Sequence, residues 1–415
     1  MPIAPAAAPG KIGFLHDPKW IALAAATLGY LLDACDVLLY VFSIQSLKEE
    51  FALSNAQAGL ISGFTLVASS FGGVAAGLLA DRIGRRKTLI YTILLFSLAS
   101  GGTASATSLS TLLFWRTLVG LGMGGEWSAG AVLVAESWPA QHRAKAMGVM
   151  QSGWALGYML AAALAAVVLP RWGWRTLFLV GVLPALLTVG IRRKVTEPAI
   201  WIARKRAVPL ISLFRPPLGR LTLAATALTT AVLLGYWGLF TWLPSFLSAP
   251  REQGGAGLGL VAGSGWMFAM QIGALAGYLS FGFLADRYGR RPVFIGFMLA
   301  IAALTPVYGG APSWAGSSAG AVLLLLAPLI GFFGSGYFSL FGAMLAELFP
   351  TSLRGAGMGF SYNFGRALCA GAPWAVGALA DSQGLGRALA LNSAFFLLAA
   401  ALMLALPETR RVELE

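Results

Sequence analysis

Five ionisable side chains lie inside long apolar stretches of this 415-residue chain: Asp33, Asp36, Arg116, Glu126 and Arg366. A charge at the centre of a lipid-embedded helix costs roughly 2.5–3.5 kcal/mol on insertion scales, so residues of this kind default to function. Three acids stand against two bases. Not every acid has a basic partner of its own, so at least one holds a proton for part of the time, the condition required of a proton carrier. A permanently protonated, hydrogen-bonded acid is the alternative. Asp33, Asp36 and Tyr40 fall at i, i+3 and i+7 and share one helical face, which reads as a polar stripe turned away from lipid.

Such residues need elements that cross a membrane. The chain is 58% hydrophobic and 11% charged, with a mean hydropathy of +0.76, whereas a soluble domain carries charge at about a quarter of its positions. A helix needs about 20 apolar residues to span the hydrocarbon core. Twelve stretches qualify: 20–45, 55–80, 88–108, 110–135, 145–169, 174–191, 221–248, 260–285, 292–310, 318–346, 355–380 and 386–407. The net charge of +13 is topogenic and does not point to nucleic acid. With the N-terminus inside, tails and inward loops hold 22 of the 29 Lys and Arg; outward loops hold Lys48, Arg171, Arg175, Arg251 and Arg387. That is the positive-inside bias, and it places both termini in the cytoplasm, on the inner side of a bacterial-type plasma membrane.

The expected organisation is a cytoplasmic tail over 1–19, a six-helix bundle over 20–191, a cytoplasmic linker over 192–220, a second six-helix bundle over 221–407 and a tail over 408–415. The first nineteen residues have no apolar core with a cleavage site, so they do not read as a secretory signal. The linker is mostly basic, and its prolines oppose a continuous helix. Trp201 and Ile202, flanked by Lys and Arg, read either as a short surface helix or as plain linker.

Two motifs occur twice. "GLLADRIGRRK" (Gly77 to Lys87) returns as "GFLADRYGRRP" (Gly282 to Pro292) after 205 residues, and "AESWPAQHRAKAMG" (Ala135 to Gly148) returns as "AELFPTSLRGAGMG" (Ala346 to Gly359) after 211. Nearly equal offsets imply two pseudo-symmetric halves. The G-x-x-x-D-R-x-G-R-R pattern resembles the signature loop of the major facilitator superfamily, and the likeness runs from the first span to the twelfth. It implies an all-α membrane protein whose twelve transmembrane helices form two pseudo-symmetric six-helix bundles, with a substrate site near the midplane. It also implies that Gly77, Asp81, Arg82 and Arg85 with Glu136 and Arg143, and Asp286 and Arg287 with Glu347 and Arg354, form cytoplasmic networks that lock the outward-open state. Arginines that only anchor topology are the other reading.

Within that resemblance, depth pairs Asp36, about 24 Å along the first span, with Arg116, about 28 Å from the inner end of the fourth. "WRTLVGLGMGGEWSAG" (Trp115 to Gly130) resembles the R-x-x-x-G-x-G motif of proton-coupled members. Glu126 either carries protons or lies neutral at the interface with the second span. "QSGWALGY" with "SYNFGRALCAG" resembles the metabolite:proton symporters of the sialate and lactate branch, and the D-x-x-D of the first span resembles the aromatic-acid:proton symporters. Ala34 and Cys35 depart from the D-G-x-D of the latter. Arg366, about 17 Å into the eleventh span, is the expected carboxylate anchor, since a guanidinium grips a carboxylate with two parallel bonds. Asn363 and Tyr362 adjoin it, and the repeat brings Gln151 and Trp154 opposite. Tyr158, Tyr236, Trp237, Gln271 and Tyr337 complete an aromatic and polar pocket, although plain packing is the commoner role of each aromatic.

Enzyme chemistry finds no residues here. His16 and His142 both lie near membrane faces, Cys35 and Cys369 have no metal spacing, and no P-loop occurs, so neither cofactor nor metal is expected. The reading is a secondary active transporter that imports a small organic acid, such as a monocarboxylate, aromatic acid or acidic sugar, with protons, by alternating access. A drug or metabolite:proton antiporter is the alternative, although "GWALGYMLAAAL" (Gly153 to Leu164) lacks the antiporter glycine–proline pattern. A receptor-like sensor would need a signalling domain that neither tail can hold. The expected partners are an organic anion, protons and the lipid bilayer, with a monomer as the family default.

Overall fold

A computed structural model describes residues 17–138, 140–192, 210–350 and 353–409. Among them every regular element is helical. The helices are α1 (Pro18–Phe51), α2 (Asn55–Ile83), α3 (Arg85–Thr103), α4 (Leu109–Ser137), α5 (Ala140–Arg192), α6 (Leu218–Phe240) and α7 (Leu243–Ser248), followed by α8 (Gly259–Tyr288), α9 (Arg290–Trp314), α10 (Ala319–Ser335), α11 (Phe338–Leu348), α12 (Arg354–Cys369), α13 (Gly371–Gln383) and α14 (Leu385–Met403). Eight described stretches are long and apolar enough to cross a membrane, and one of them, Lys145–Val182, holds the fifth expected span and the start of the sixth. Successive spans run antiparallel, with α6–α7, α10–α11 and α12–α13 each serving as one span. One face of the bundle therefore carries Asp17 and Thr409 (the terminal face), and the other carries the loops after α1, α3, α7 and α9 (the opposite face).

Several expected spans are broken where the sequence pattern is continuous. Residue 173, a glycine with φ 73° and ψ 177°, turns the chain inside α5 and separates the fifth span from the sixth. The seventh, tenth and eleventh spans break between α6 and α7, between α10 and α11, and between α12 and α13. The first span extends well beyond residue 45: at 1.5 Å per residue, the 34 residues of α1 cover about 51 Å, more than the ~30 Å hydrocarbon core. Its excess ends at Glu50. There Arg175 donates from Nη1 and Nη2 to Glu50 at 2.9 and 2.6 Å, and the Trp174 indole donates to the same carboxylate at 2.6 Å. The expected surface helix around Trp201 lies outside the described residues.

The repeated loop motif has a local physical cause. Gly84, between α2 and α3, and Gly289, between α8 and α9, have φ of 96° and 100°, which a side chain with a Cβ rarely adopts. The Glu408 carboxylate accepts from the backbone N–H of Arg290 and of Arg291 at 3.1 and 3.0 Å, capping α9.

Glycine packing repeats as well. A Cβ on Gly120 of α4 would overlap the Thr65 carbonyl oxygen of α2; 211 and 205 residues later, a Cβ on Gly331 of α10 would overlap the Met270 carbonyl of α8. Gly124 meets the Ser69 carbonyl in the same way. In lipid, helices gain little from hiding apolar surface, so such close backbone contact is a main source of cohesion. The halves meet along two seams, α2 against α12 and α13, and α5 against α8. Gly124→Val is expected to lower the thermal midpoint in detergent by several degrees, because overpacking costs typically about 1–3 kcal/mol. Gly265→Val, at a position with nothing within 4 Å of the added carbon, is expected to melt with the unsubstituted protein. Equal melting of the two variants would contradict the packing argument.

Candidate functional site

Four of the five intramembrane charges have described side chains: Asp33, Asp36, Arg116 and Arg366 are each no more than 4% exposed. The side chain of Glu126 lies outside the described residues. The four divide into two groups, and Asp33 and Asp36 go to different groups although they share a helix.

Asp36 and Arg116 occupy the first group, between α1 and α4. The Arg116 guanidinium lies 5.0 Å from the centroid of the Tyr40 ring, and the Tyr40 hydroxyl donates to the Ala58 carbonyl of α2 at 2.8 Å. Ser100 of α3 adjoins Asp36, and Asp36 and Arg116 act on each other electrostatically. The direct pairing suggested by depth is realised only as proximity. Both Asp36 carboxylate oxygens, and Nε and Nη1 of Arg116, are buried without a hydrogen-bond partner. The cause is the ring: Arg116 is spread over the Tyr40 face, where the quadrupole attracts the cation.

Arg366 anchors the second group, which joins the two halves. Its Nη2 donates to the Tyr362 hydroxyl one turn earlier on α12 at 3.3 Å. Tyr30 and Asp33, one turn apart on α1, lie within electrostatic reach of the guanidinium. Tyr278 of α8 lies close to Tyr30, Tyr236 and Tyr337 as well as to Tyr362. A ring of tyrosines from both halves therefore surrounds one arginine and one acid. Within it Arg366 Nε and the Tyr337 hydroxyl are buried without hydrogen-bond partners, and Gln271 Nε2, on the Tyr278 face of α8, is in the same condition. Buried polar atoms of this kind call for water or a ligand.

The other expected pocket residues are placed as follows. Gln151, Trp154 and Tyr158 lie on one buried face of α5. The Trp154 indole donates to the Tyr236 hydroxyl at 2.6 Å, and the Tyr158 hydroxyl donates to the Phe240 carbonyl at 3.2 Å. These bonds sit one turn apart and tie α5 to α6 across the halves, on the way from the arginine to the opposite face. Trp154 also packs on Tyr30 and on Trp237, with ring centroids 5.2 and 5.9 Å apart. Asn363 faces α2, its Oδ1 beside Gly73, and its Nδ2 donates to Gly359 at 3.0 Å, so it serves a helix contact. Tyr30 and Tyr278 escaped the sequence reading. The signals were periodic, since Tyr30 precedes Asp33 by one turn and Tyr278 follows Gln271 by two.

Of the expected gating residues, Arg287 is described; it is exposed, with its guanidinium 5.3 Å from the neighbouring Tyr288 ring centroid. The surroundings of Gly77, Asp81, Arg82, Arg85, Glu136, Arg143, Asp286, Glu347 and Arg354 lie outside the described residues. A separate groove of about 340 Å³ opens on the opposite face and contains Arg251 and Arg387, away from the four buried charges.

Known proteins resemble this chain in sequence and in fold. The profile of the Major Facilitator Superfamily matches residues 26–270 and 254–414. A "probable 4-methylmuconolactone transporter" of Cupriavidus pinatubonensis is 35% identical over 399 residues, covering 93% of this chain and 90% of that one. A cis,cis-muconate transport protein of Acinetobacter baylyi is 30% identical over 391 residues, covering 91% and 92%. The crystal structure of a D-xylose-proton symporter superposes with a TM-score of 0.77 at 21% identity over 94% of this chain and 98% of that one, which speaks to the fold. With a family profile spanning both halves and relatives matched over nine-tenths of their length, the chain belongs to the Major Facilitator Superfamily and is a membrane transporter, not an enzyme.

Proposed function

We propose that the protein is a proton-coupled symporter of a small organic acid, working by alternating access between two six-helix halves, 20–191 and 221–407. The observation that carries this is the separation of the buried charges into two groups. Asp36 beside Arg116 lies within one half; Arg366 with Asp33 lies between the halves, among tyrosines. The first has the character of a proton site. A carboxylate that accepts no hydrogen bond and has no direct ion pair is costly in an apolar interior, and binding a proton removes that cost. The second has the character of an anion site, with a cation, one nearby acid that an incoming carboxylate can replace, and aromatic walls.

The cycle then follows from charge balance. With the terminal face in the cytoplasm, as the basic residues favour, the described conformation is closed to the outside by the Trp154–Tyr236 and Tyr158–Phe240 bonds. Opening these admits substrate and proton from outside. The substrate carboxylate takes Arg366 away from Asp33, and a proton on Asp36 releases its hold on Arg116. The two acids and two arginines sum to zero when empty, and one anion taken up with one proton keeps that sum at zero, so the halves close around the load and open inward without burying an extra charge. The relatives' names agree in chemical class, since muconate is a carboxylate.

The test is proteoliposome transport with an internal pH dye, using benzoate-type acids, muconate, lactate, sialic acid and neutral sugars, with protein-free liposomes as the leakage control. Acidification driven by one acid is expected. Arg366→Ala should weaken apparent affinity for that acid about 10- to 100-fold, the loss of one or two charge-assisted bonds; unchanged affinity would remove Arg366 from the site. Asp36→Asn should abolish accumulation driven by a proton gradient while sparing counterflow exchange of labelled substrate. Proton-driven accumulation surviving in Asp36→Asn would refute the assignment of the proton site. Proton efflux on adding a cationic compound would favour the antiporter instead.

A further inference from the structure

The N-terminus of α2 is capped from the far end of the chain. Its own sequence satisfies part of the first turn: the Ser54 hydroxyl accepts from Gln57 N–H at 3.1 Å, and Gln57 Oε1 accepts from Ser54 N–H at 2.9 Å, a reciprocal capping box. That leaves the N–H groups of Asn55 and Ala56. Both donate to Asp381 of α13, to Oδ1 at 3.0 Å and to Oδ2 at 2.9 Å, across 326 and 325 residues of chain and across the two halves. Lys48 Nζ donates to Asn55 Oδ1 at 2.7 Å, which puts a cation beside the same carboxylate. Below this point the backbones touch: a Cβ on Gly59 would overlap Pro373, and one on Gly63 or Gly377 would overlap the Ala370 or Asn55 carbonyl.

We propose that Asp381 is the positioning residue that latches the opposite face shut, by supplying a negative charge and two acceptors to the open N-terminus of α2 only when the halves meet there. The inference rests on the alternating-access reading and adds to it the group that sets the balance between states. When the face opens, the two N–H groups and the carboxylate pass to water. The interaction is exposed to solvent, so its strength is modest, which suits a contact remade in every cycle.

The experiment is double electron–electron resonance in lipid nanodiscs with spin labels at Thr107→Cys and Ser317→Cys, exposed positions on the opposite face, one in each half. The native Cys35 and Cys369 are buried. Distances are recorded in mildly alkaline and mildly acidic buffer, with and without cis,cis-muconate. Asp381→Ala should raise the open-to-closed ratio roughly 2- to 30-fold, the range of a lost N-cap, and Asp381→Asn, with one acceptor and the same shape, should raise it less. Asn55→Pro removes one donor, together with the Lys48 contact, at the first helical position, which tolerates proline; it should shift the ratio in the same direction and add little to Asp381→Ala. Distributions unchanged in all three variants, in a protein that itself switches distance between conditions, would overturn the latch. A single fixed distance for the unsubstituted protein under every condition would instead overturn the alternating-access reading on which the latch depends.

Discussion

Removing a charge from water inside an apolar bundle leaves it a short list of remedies: an opposite charge, a proton or a set of oriented donors. Asp33, Asp36, Arg116 and Arg366 use different items on that list. Arg366 has a tyrosine hydroxyl and a nearby acid, Arg116 has the face of Tyr40, and Asp36 has Arg116 and the Ser100 hydroxyl nearby but no direct ion pair. The surrounding helices are arranged so that these remedies are incomplete. On the proposed reading, an anion or a proton entering the site finds a partner that the protein itself withholds, which is one way a transporter makes binding depend on its state.

The rigidity that makes this meaningful comes from backbone contact. Gly120 on Thr65 and Gly331 on Met270 place α4 on α2 and α10 on α8 in the same way in both halves, so each half resists internal deformation. The proposed relative movement would be concentrated at the seams between them. Those seams are built differently at different depths. Near the arginine they are aromatic and hydrogen-bonded, through Trp154 and Tyr236. At the opposite face they are backbone contacts finished by the carboxylate of Asp381. Exposed contacts of this kind are individually weak, which suits the proposed exchange of one closed seam for the other.

A sequence pattern reads well where the information is local. The apolar stretches, the duplicated loops and the glycines with φ near 100° at 84 and 289 are properties of short windows, and the structure keeps them. The turn at 173 falls between two spans the sequence already separates, but the breaks at 241–242, 336–337 and 370 were less legible, since an unbroken apolar run is equally compatible with one helix or with two joined at an angle. Asn363 shows the limit for site residues: its neighbour three positions on, Arg366, belongs to the buried charge cluster, while Asn363 itself is turned onto Gly73 of α2.

The sequence alone was sufficient for the all-helical membrane character, the two-fold repeat, the family likeness and the presence of intramembrane acids, because hydropathy, spacing and depth along a helix follow from 1.5 Å per residue and the thickness of a bilayer. Only the tertiary structure decided that Asp33 goes with Arg366 while Asp36 keeps the neighbourhood of Arg116, and that Asp381 completes a helix that begins 326 residues earlier. Residues three apart on α1 point about 60° apart around its axis, so one small rotation of that helix reassigns both acids. That rotation is set by glycine contacts such as Gly153 on Thr27 and Gly157 on Leu31, which depend on where a second helix lies and not on any window of sequence around the acids.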